Sequence, residues 1–294
     1  MKPPIKQHTA RRIAVGLSAT LVATTAAGIA HAATAPAPHV LVSATFDTLP
    51  TGRISPANFM KTLGGSNKST TPYDDTSIVA VPGKGKVIRT TFQKGTMKSI
   101  PSGNNGASLF LPLSRVVNQA CMSYDIRFDG TFDWSLGGKL PGLEGVAPGV
   151  SPGYPTGGRV ATSKGWSGRL MWLTPKSYGW AGPVNEVVSY MYDPTQAGNY
   201  GDNVRWHHAF GANKWQTVKQ CVTMNTVGKA NGRLDAWLDG VQVLANHSYT
   251  FRTSSNVGVS HILWHLFRGG NTHAWAGSHT DYVDIDNVRV TSTS

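Results

Sequence analysis

Residues 121–128 read CMSYDIRF. Met122, Tyr124, Ile126 and Phe128 alternate with Ser123, Asp125 and Arg127, the period of two expected of a strand with one buried and one wet face. The same pattern extends outward. LDAWLDGVQVL (234–244) places Asp239-Gly240 between two apolar runs, the signature of a tight hairpin. KWQTVKQCVTM (214–224) and DYVDIDNVRV (281–290) read as further strands. No window of a dozen residues carries a helical stripe, and 33 glycines and 17 prolines punctuate the chain as loops between many short strands require. These features predict an all-β jelly-roll sandwich of two antiparallel sheets. The longest loop-like stretch, Glu144 to Trp166, is rich in Gly, Pro and Ser and is expected to overhang something.

Residues 1–32 read as an export signal. Lys2, Lys6, Arg11 and Arg12 form a basic start, Ile13–Ile29 is a small-residue apolar run, and Ala30–Ala32 (AHA) is a peptidase-type site. The Arg11-Arg12 pair leaves a twin-arginine route open. A single domain is then expected over 33–294, secreted or periplasmic, with no membrane contact after cleavage and a monomeric state. Removing the leader takes four cations and no acid, lowering the formal charge from +12 to +8. A basic surface suits a polyanion. The cations are scattered rather than run together, which argues against nucleic acid. In an oxidising compartment Cys121 and Cys221, each on a strand-like run, are expected to pair.

Several chemistries are disfavoured. A glycosidase needs two flanking carboxylates, yet the chain has only two glutamates, Glu144 and Glu186, while Asp281, Asp284 and Asp286 lie in a closing strand. His261 and His265 are four apart on a strand, roughly 13 Å, too far to share one metal ion. Adjacent His207 and His208 would face opposite ways. They read as loop or core histidines, so no metal site is expected. Neither a G-x-S-x-G elbow nor a phosphate loop is present.

Cations and phenols on strands remain. FDWSLGGKLPGL (132–143) presents Lys139 between two glycines and a Pro-Gly turn; WSGRLMW (166–172) places Ser167, Arg169 and Met171 on one face; VVSYMYDP (187–194) places Tyr190 and Tyr192 on one face, about 7 Å apart by strand geometry. GGKLPGL followed by S-x-R-x-M-W and Y-x-Y resembles polysaccharide lyase family 14, the alginate and glucuronan lyases. The resemblance extends through KWQTVKQCV, DAWLDG, LFRGGNTHAWAG and DYVDIDNVRV, over about residues 40–292. It implies a cleft across one sheet and β-elimination of a uronic-acid polymer without a cofactor. It carries functional roles onto Lys139, Ser167, Arg169, Tyr190 and Tyr192.

The chemistry of these residues agrees. β-Elimination removes the weakly acidic proton beside a uronate carboxylate, so the developing dianion needs preorganised cations or donors. Arg169 can grip a carboxylate bidentately. Lys139 can serve as base or stabiliser, and Tyr190 or Tyr192 as acid/base, with Ser167 a hydrogen-bonding support for substrate. Gly137 and Gly138 are expected to let the chain approach a sugar, and Pro141-Gly142 to re-aim Lys139 into the cleft. Arg268, Asn271 and His273 are expected to rim the groove. Trp134 is a candidate stacking platform, whereas alternation assigns Trp172 to the core. Two other classes fit the composition: a lectin-like binding module for acidic polysaccharides, and a matrix protein that adheres through its basic face.

Overall fold

A computed structural model describes residues 37–64, 75–98 and 106–293. The expected leader, residues 1–32, lies outside the described residues. The early strands are β1 (His39–Ala44), β2 (Gly52–Arg53), β3 (Thr76–Val81), β4 (Gly85–Phe92) and β5 (Ala107–Val117). The central ones are β6 (Gln119–Phe128), β7 (Gly137–Val146), β8 (Gly165–Leu173), β9 (Glu186–Tyr192) and β10 (Asp202–Ala209). The last are β11 (Gln216–Thr223), β12 (Gly232–Leu238), β13 (Val241–Tyr249), β14 (Val259–Arg268) and β15 (Asp281–Ser292). Among the described residues one short α-helix, α1 (Pro56–Thr62), is capped by Ser55, whose hydroxyl accepts the Asn58 N–H at 3.2 Å. Seven residues are too few for a helical stripe to show in the sequence.

The strands form two antiparallel sheets, as expected of a jelly-roll sandwich. The larger runs β13-β12-β11-β6-β15-β4-β3-β2, with β1 on β15; the smaller runs β10-β9-β8-β7-β14-β5. Between them lies a core to which β6 contributes Met122, Tyr124, Ile126 and Phe128, the alternating set of the opening stretch. The smaller sheet answers with Leu140, Leu143, Trp166, Leu170, Trp172 and Trp264. On the other face of the larger sheet charges are matched: Asp284 accepts from Arg89 and Arg127, each at 2.7 Å, and Asp125 from Lys84 at 2.6 Å. The Asp-Gly hairpin forms between β12 and β13, with positive φ at both Asp239 (52°) and Gly240 (82°).

Cys121 on β6 stands directly opposite Cys221 on β11, and the two form the expected disulfide across a sequence separation of 100 residues. Constraining so long a segment in the unfolded chain is worth about 4–5 kcal/mol in the chain-entropy account.

The smaller sheet carries one decisive irregularity. β7 pairs with β8 as Lys139↔Met171 and Leu140↔Leu170, then as Gly142↔Arg169, so Pro141 has no partner in that register. Proline has no N–H to donate and therefore suits a break in the ladder. Its carbonyl instead accepts the hydroxyl of Tyr124 from the opposite sheet, at 3.1 Å. The flanking glycines serve packing rather than a sugar. A Cβ on Gly138 would lie 2.1 Å from the Trp172 ring, and one on Gly142 would lie 2.1 Å from the Gly168 carbonyl oxygen. The expectation that Gly137 and Gly138 admit a sugar is thereby corrected: Gly138 admits the indole of Trp172 from the core side.

The Gly/Pro-rich stretch is a loop over residues 147–164, closed at its neck by Ala147 N–H to the Lys164 carbonyl at 2.8 Å. It folds back on one end of the smaller sheet. Gly153 N–H donates to the Glu144 carboxyl at 2.9 Å, Ser167 Oγ donates to the Pro155 carbonyl at 2.7 Å, and Gly158 N–H donates to the Tyr192 hydroxyl at 3.2 Å.

Two substitutions probe this frame. Tyr124→Phe strips the Pro141 carbonyl of its partner and should cost about 1–3 kcal/mol in chemical denaturation; an unchanged midpoint would mean that the hydroxyl does not hold the bulge. Burial pushes the Glu144 carboxyl up to about 8, so its contribution to stability is full below its ordinary value and fades as pH rises toward about 8. Glu144→Gln should flatten that dependence, leaving the variant ahead of the parent in melting temperature at alkaline pH and not at pH 5 or so.

Candidate active site

Cross-strand partners share a face of a sheet, so the register assembles the site in rows. The first row is His261, Glu144, Ser167 and Tyr192; the second is Leu263, Gly142, Arg169 and Tyr190; the third is Phe267, Lys139, Met171 and Val188. Alternation along β14 adds His265 to the same face, between Leu263 and Phe267. Lys139 and Glu144 are five residues apart, an odd spacing that in a regular strand would send them to opposite faces. The unpaired Pro141 supplies the extra residue that brings both to one.

Four expected residues converge. The Lys139 amine lies 4.2 Å from the Tyr190 ring centroid, and the Arg169 guanidinium lies 5.3 Å and 5.5 Å from the rings of Tyr190 and Tyr192. The two phenols stand perpendicular with hydroxyls 3.4 Å apart, closer than the strand spacing predicts. Gly269 leaves room for the lysine, since a Cβ there would sit 3.0 Å from its nitrogen. Trp275, from the short helical turn His273–Trp275, closes this end with its ring 5.9 Å from the same amine. Lys139 and Tyr190 are each 8 % exposed, Arg169 2 %.

Burial decides the charge states. Desolvation first, then the charges of Arg169 and Lys98, hold the Lys139 ammonium well below the usual lysine range, so the neutral amine is accessible. Desolvation and the neighbouring Tyr192 raise Tyr190, keeping its phenol protonated. Burial also keeps Glu144 largely neutral near pH 7, with its carboxyl turned to Gly153. Arg169 is left with no counter-ion among the described residues. One of its nitrogens, Nη1, meets His265 Nδ1 at 3.2 Å, while Nε and Nη2 have no hydrogen-bond partner. A buried guanidinium with two open nitrogens and no counter-ion is suited to receive an anion.

Other expected residues are placed differently. Ser167 is fully buried and its hydroxyl is committed to the Pro155 carbonyl, so it ties down the loop instead of offering a bond to substrate. Arg268 points to the opposite face of β14 from His265 and Phe267; it is buried against Phe92 and Phe132 and ion-paired with Asp281, and is no part of the groove rim. Trp134 packs on Phe128 and Phe132, with centroids 4.7 Å and 4.9 Å away, and is no sugar platform. Trp172 is in the core as alternation required. Asn271 and His273 are exposed in the segment that follows β14.

Sequence reasoning missed His265. In the sequence it reads as a loop or core histidine once a metal shared with His261 is set aside; alternation with the apolar Ile262, Trp264 and Leu266 is the signal that places it on the cleft face. Among the described residues no group of three His, Cys, Asp or Glu side chains is gathered to hold a metal ion.

Residues 81–288 match the profile of the family described as Polysaccharide lyase 14. No match was found among curated proteins. Solved structures share the fold. The marine PL-14 alginate lyase from Aplysia kurodai superposes with a TM-score of 0.70 at 22 % identity, over 86 % of this chain and 99 % of that one. Alginate lyase Aly36B gives 0.65 at 24 %, over 85 % and 95 %, and alginate lyase vAL-1 from a Chlorella virus gives 0.63 at 18 %, over 83 % and 99 %. With more than half its length inside the family profile, the chain belongs to polysaccharide lyase family 14 and is a polysaccharide lyase.

Proposed function

We propose that this lyase cleaves an alginate-type uronic-acid polymer by β-elimination, with Lys139 as base, Tyr190 as acid and Arg169 as carboxylate receptor. One observation carries the reading: a buried guanidinium with no counter-ion among the described residues sits beside an amine whose proton is held less tightly than usual and a phenol whose proton is held more tightly. The alginate lyases that share its fold, Aly36B among them in complex with alginate tetrasaccharide, support a substrate of that class. The basic-apolar leader and the disulfide support an exported enzyme.

The steps follow from those states. Arg169 receives the uronate carboxylate on its open edge and stabilises the negative charge that grows there when the neighbouring C–H bond breaks. The Lys139 amine takes the proton from C5. The electron pair left behind forms the C4=C5 double bond and expels the glycosidic oxygen at C4, which takes the phenolic proton of Tyr190. One proton has been gained by the amine and one lost by the phenol. Its return from Lys139 to Tyr190, whose ring lies beneath the amine, resets the site without consuming water. The Tyr192 hydroxyl is 3.4 Å from that of Tyr190 and holds the donor in place.

The side-by-side base and acid also bear on stereochemistry. They suit a sugar whose C5 hydrogen and C4 oxygen leave from the same side, as in β-mannuronate and β-glucuronate, and not α-guluronate, where the two are opposed. Ultraviolet absorbance of the new double bond should therefore rise at least about tenfold faster on polymannuronate or glucuronan than on polyguluronate, roughly 1.4 kcal/mol of barrier. The reverse preference would overturn the pairing of Lys139 with Tyr190.

Lys139→Ala and Tyr190→Phe should each lower kcat by about 10²–10⁴, the usual worth of a positioned base or acid, with melting temperature preserved. In the parent enzyme kcat/KM should fall as pH drops through the depressed lysine value, since the amine is then protonated. Near-full turnover by Lys139→Ala would sink the mechanism, while polymer binding without any absorbance change in the parent would favour a lectin.

A further inference from the structure

Among the described residues, three buried donor nitrogens on the cleft face make no hydrogen bond: Nε and Nη2 of Arg169, and Nε2 of His265. The imidazole is 1 % exposed and flanked by Phe110 and Phe267, with centroids 5.5 Å and 5.4 Å away. Its other nitrogen, Nδ1, lies 3.2 Å from Arg169 Nη1. A guanidinium can only donate, so Nδ1 must be the acceptor of that bond. The ring proton is then on Nε2, and the imidazole is a neutral donor with nothing to donate to. Its surroundings enforce this state. Desolvation and the charges of Arg169, Lys98 and Lys139 hold the imidazolium well below the usual histidine range.

Leaving a buried N–H unmade costs about 1–3 kcal/mol, and such groups are rare unless something outside the protein satisfies them. The open nitrogens belong to two side chains already joined by a hydrogen bond, so they form a single cluster. Among the described residues Arg268 also leaves Nε and Nη1 without a hydrogen bond, but its charge is met by Asp281, on the other face of β14, which is what Arg169 lacks. Among the described residues no carboxyl pairs with the cluster in the same way; that of Glu144 is bonded to Gly153 beneath the loop.

We propose that His265 binds substrate, its Nε2–H donating to the same uronate carboxylate that Arg169 receives, so that the two side chains together form the acid-sugar receptor. This rests on the elimination reading for the carboxylate's place and adds a second donor to it. The receptor combines one charge-assisted grip with one neutral donor. A third positive charge there would further depress the lysine that must take the proton, whereas a neutral imidazole adds a hydrogen bond without that penalty.

The test uses the full-length protein carrying Lys139→Ala, which binds without turnover. Calorimetric titration compares a mannuronate tetrasaccharide with its carboxyl-reduced, uncharged counterpart. Adding His265→Phe keeps a flat ring between Phe110 and Phe267 but removes the donor. Affinity for the acid sugar should fall about tenfold or more, while affinity for the reduced sugar stays the same; equal affinities for the acid sugar, with or without His265→Phe, would overturn the proposal. Ring-¹⁵N histidine spectra supply a readout that packing or Arg169 placement would not move. The Nε2–H proton of His265 should shift downfield with the acid sugar and stay in place with the reduced one, and an unmoved resonance under saturation also overturns it. Should the Lys139→Ala protein, with His265 intact, bind neither sugar, the elimination reading itself fails, a result distinct from loss confined to His265→Phe.

Discussion

The hydrogen bond from the Tyr124 hydroxyl to the Pro141 carbonyl is the contact on which the site depends. A strand's side chains alternate without exception until a residue is added or dropped. Pro141 adds one, and the larger sheet reaches across the core to satisfy the carbonyl that the ladder can no longer use. The result is local and consequential. Lys139 joins the row of Met171 and Val188, while Gly142 joins that of Arg169 and Tyr190, so amine, guanidinium and phenol come from three neighbouring strands onto one face. A regular β7 would have sent either the lysine or everything beyond the proline into the core.

Charge is distributed unequally between the two sheets. On the larger sheet Arg89 and Arg127 share Asp284, and Lys84 meets Asp125, so positive groups are matched by carboxylates. On the smaller sheet Arg205 and Arg268 are likewise paired, with Glu186 and Asp281, but on the cleft face Lys139 and Arg169 are buried with no ion pair among the described residues. Burying an unpaired charge is costly, and proteins commonly respond by shifting protonation. Here Lys139 responds by losing its proton readily, Glu144 by keeping its own, and Arg169, which cannot respond, stays charged. That arrangement suits chemistry in which the ligand arrives bearing the missing charge. A well-paired salt bridge at Arg169 would be more comfortable for the fold and useless for the reaction.

Much of this was legible in the sequence, for identifiable reasons. Alternation in CMSYDIRF, the Asp239-Gly240 turn and the Cys121–Cys221 pair are short-range or register-level signals, and each appears in the fold. Lys139, Arg169, Tyr190 and Tyr192 stand in motifs that resemble the lyase family's, and the sheet register brings the four onto one face. What failed depends on contacts that one strand's pattern does not contain. Gly138 looked exposed to a sugar because nothing in its own segment names Trp172 as the ring pressing on it. Ser167 looked available because the Pro155 carbonyl that engages it belongs to a loop twelve residues upstream. Arg268 and His265 were exchanged in importance: three residues apart on β14, they face opposite ways, and only the pairing with β7 tells which side is the cleft.

The disulfide has a topological consequence. Its covalent ring runs from Cys121 to Cys221 and encloses β7, β8 and β9, hence Lys139, Glu144, Arg169, Tyr190 and Tyr192, while His265 and Trp275 lie outside it. A protease that nicked the exposed turn around Tyr200 would open the ring yet release no fragment, since both halves would stay tethered through sulfur. Catalysis by the cleaved molecule would then hinge on reductant, with the polypeptide severed and the assembly still whole.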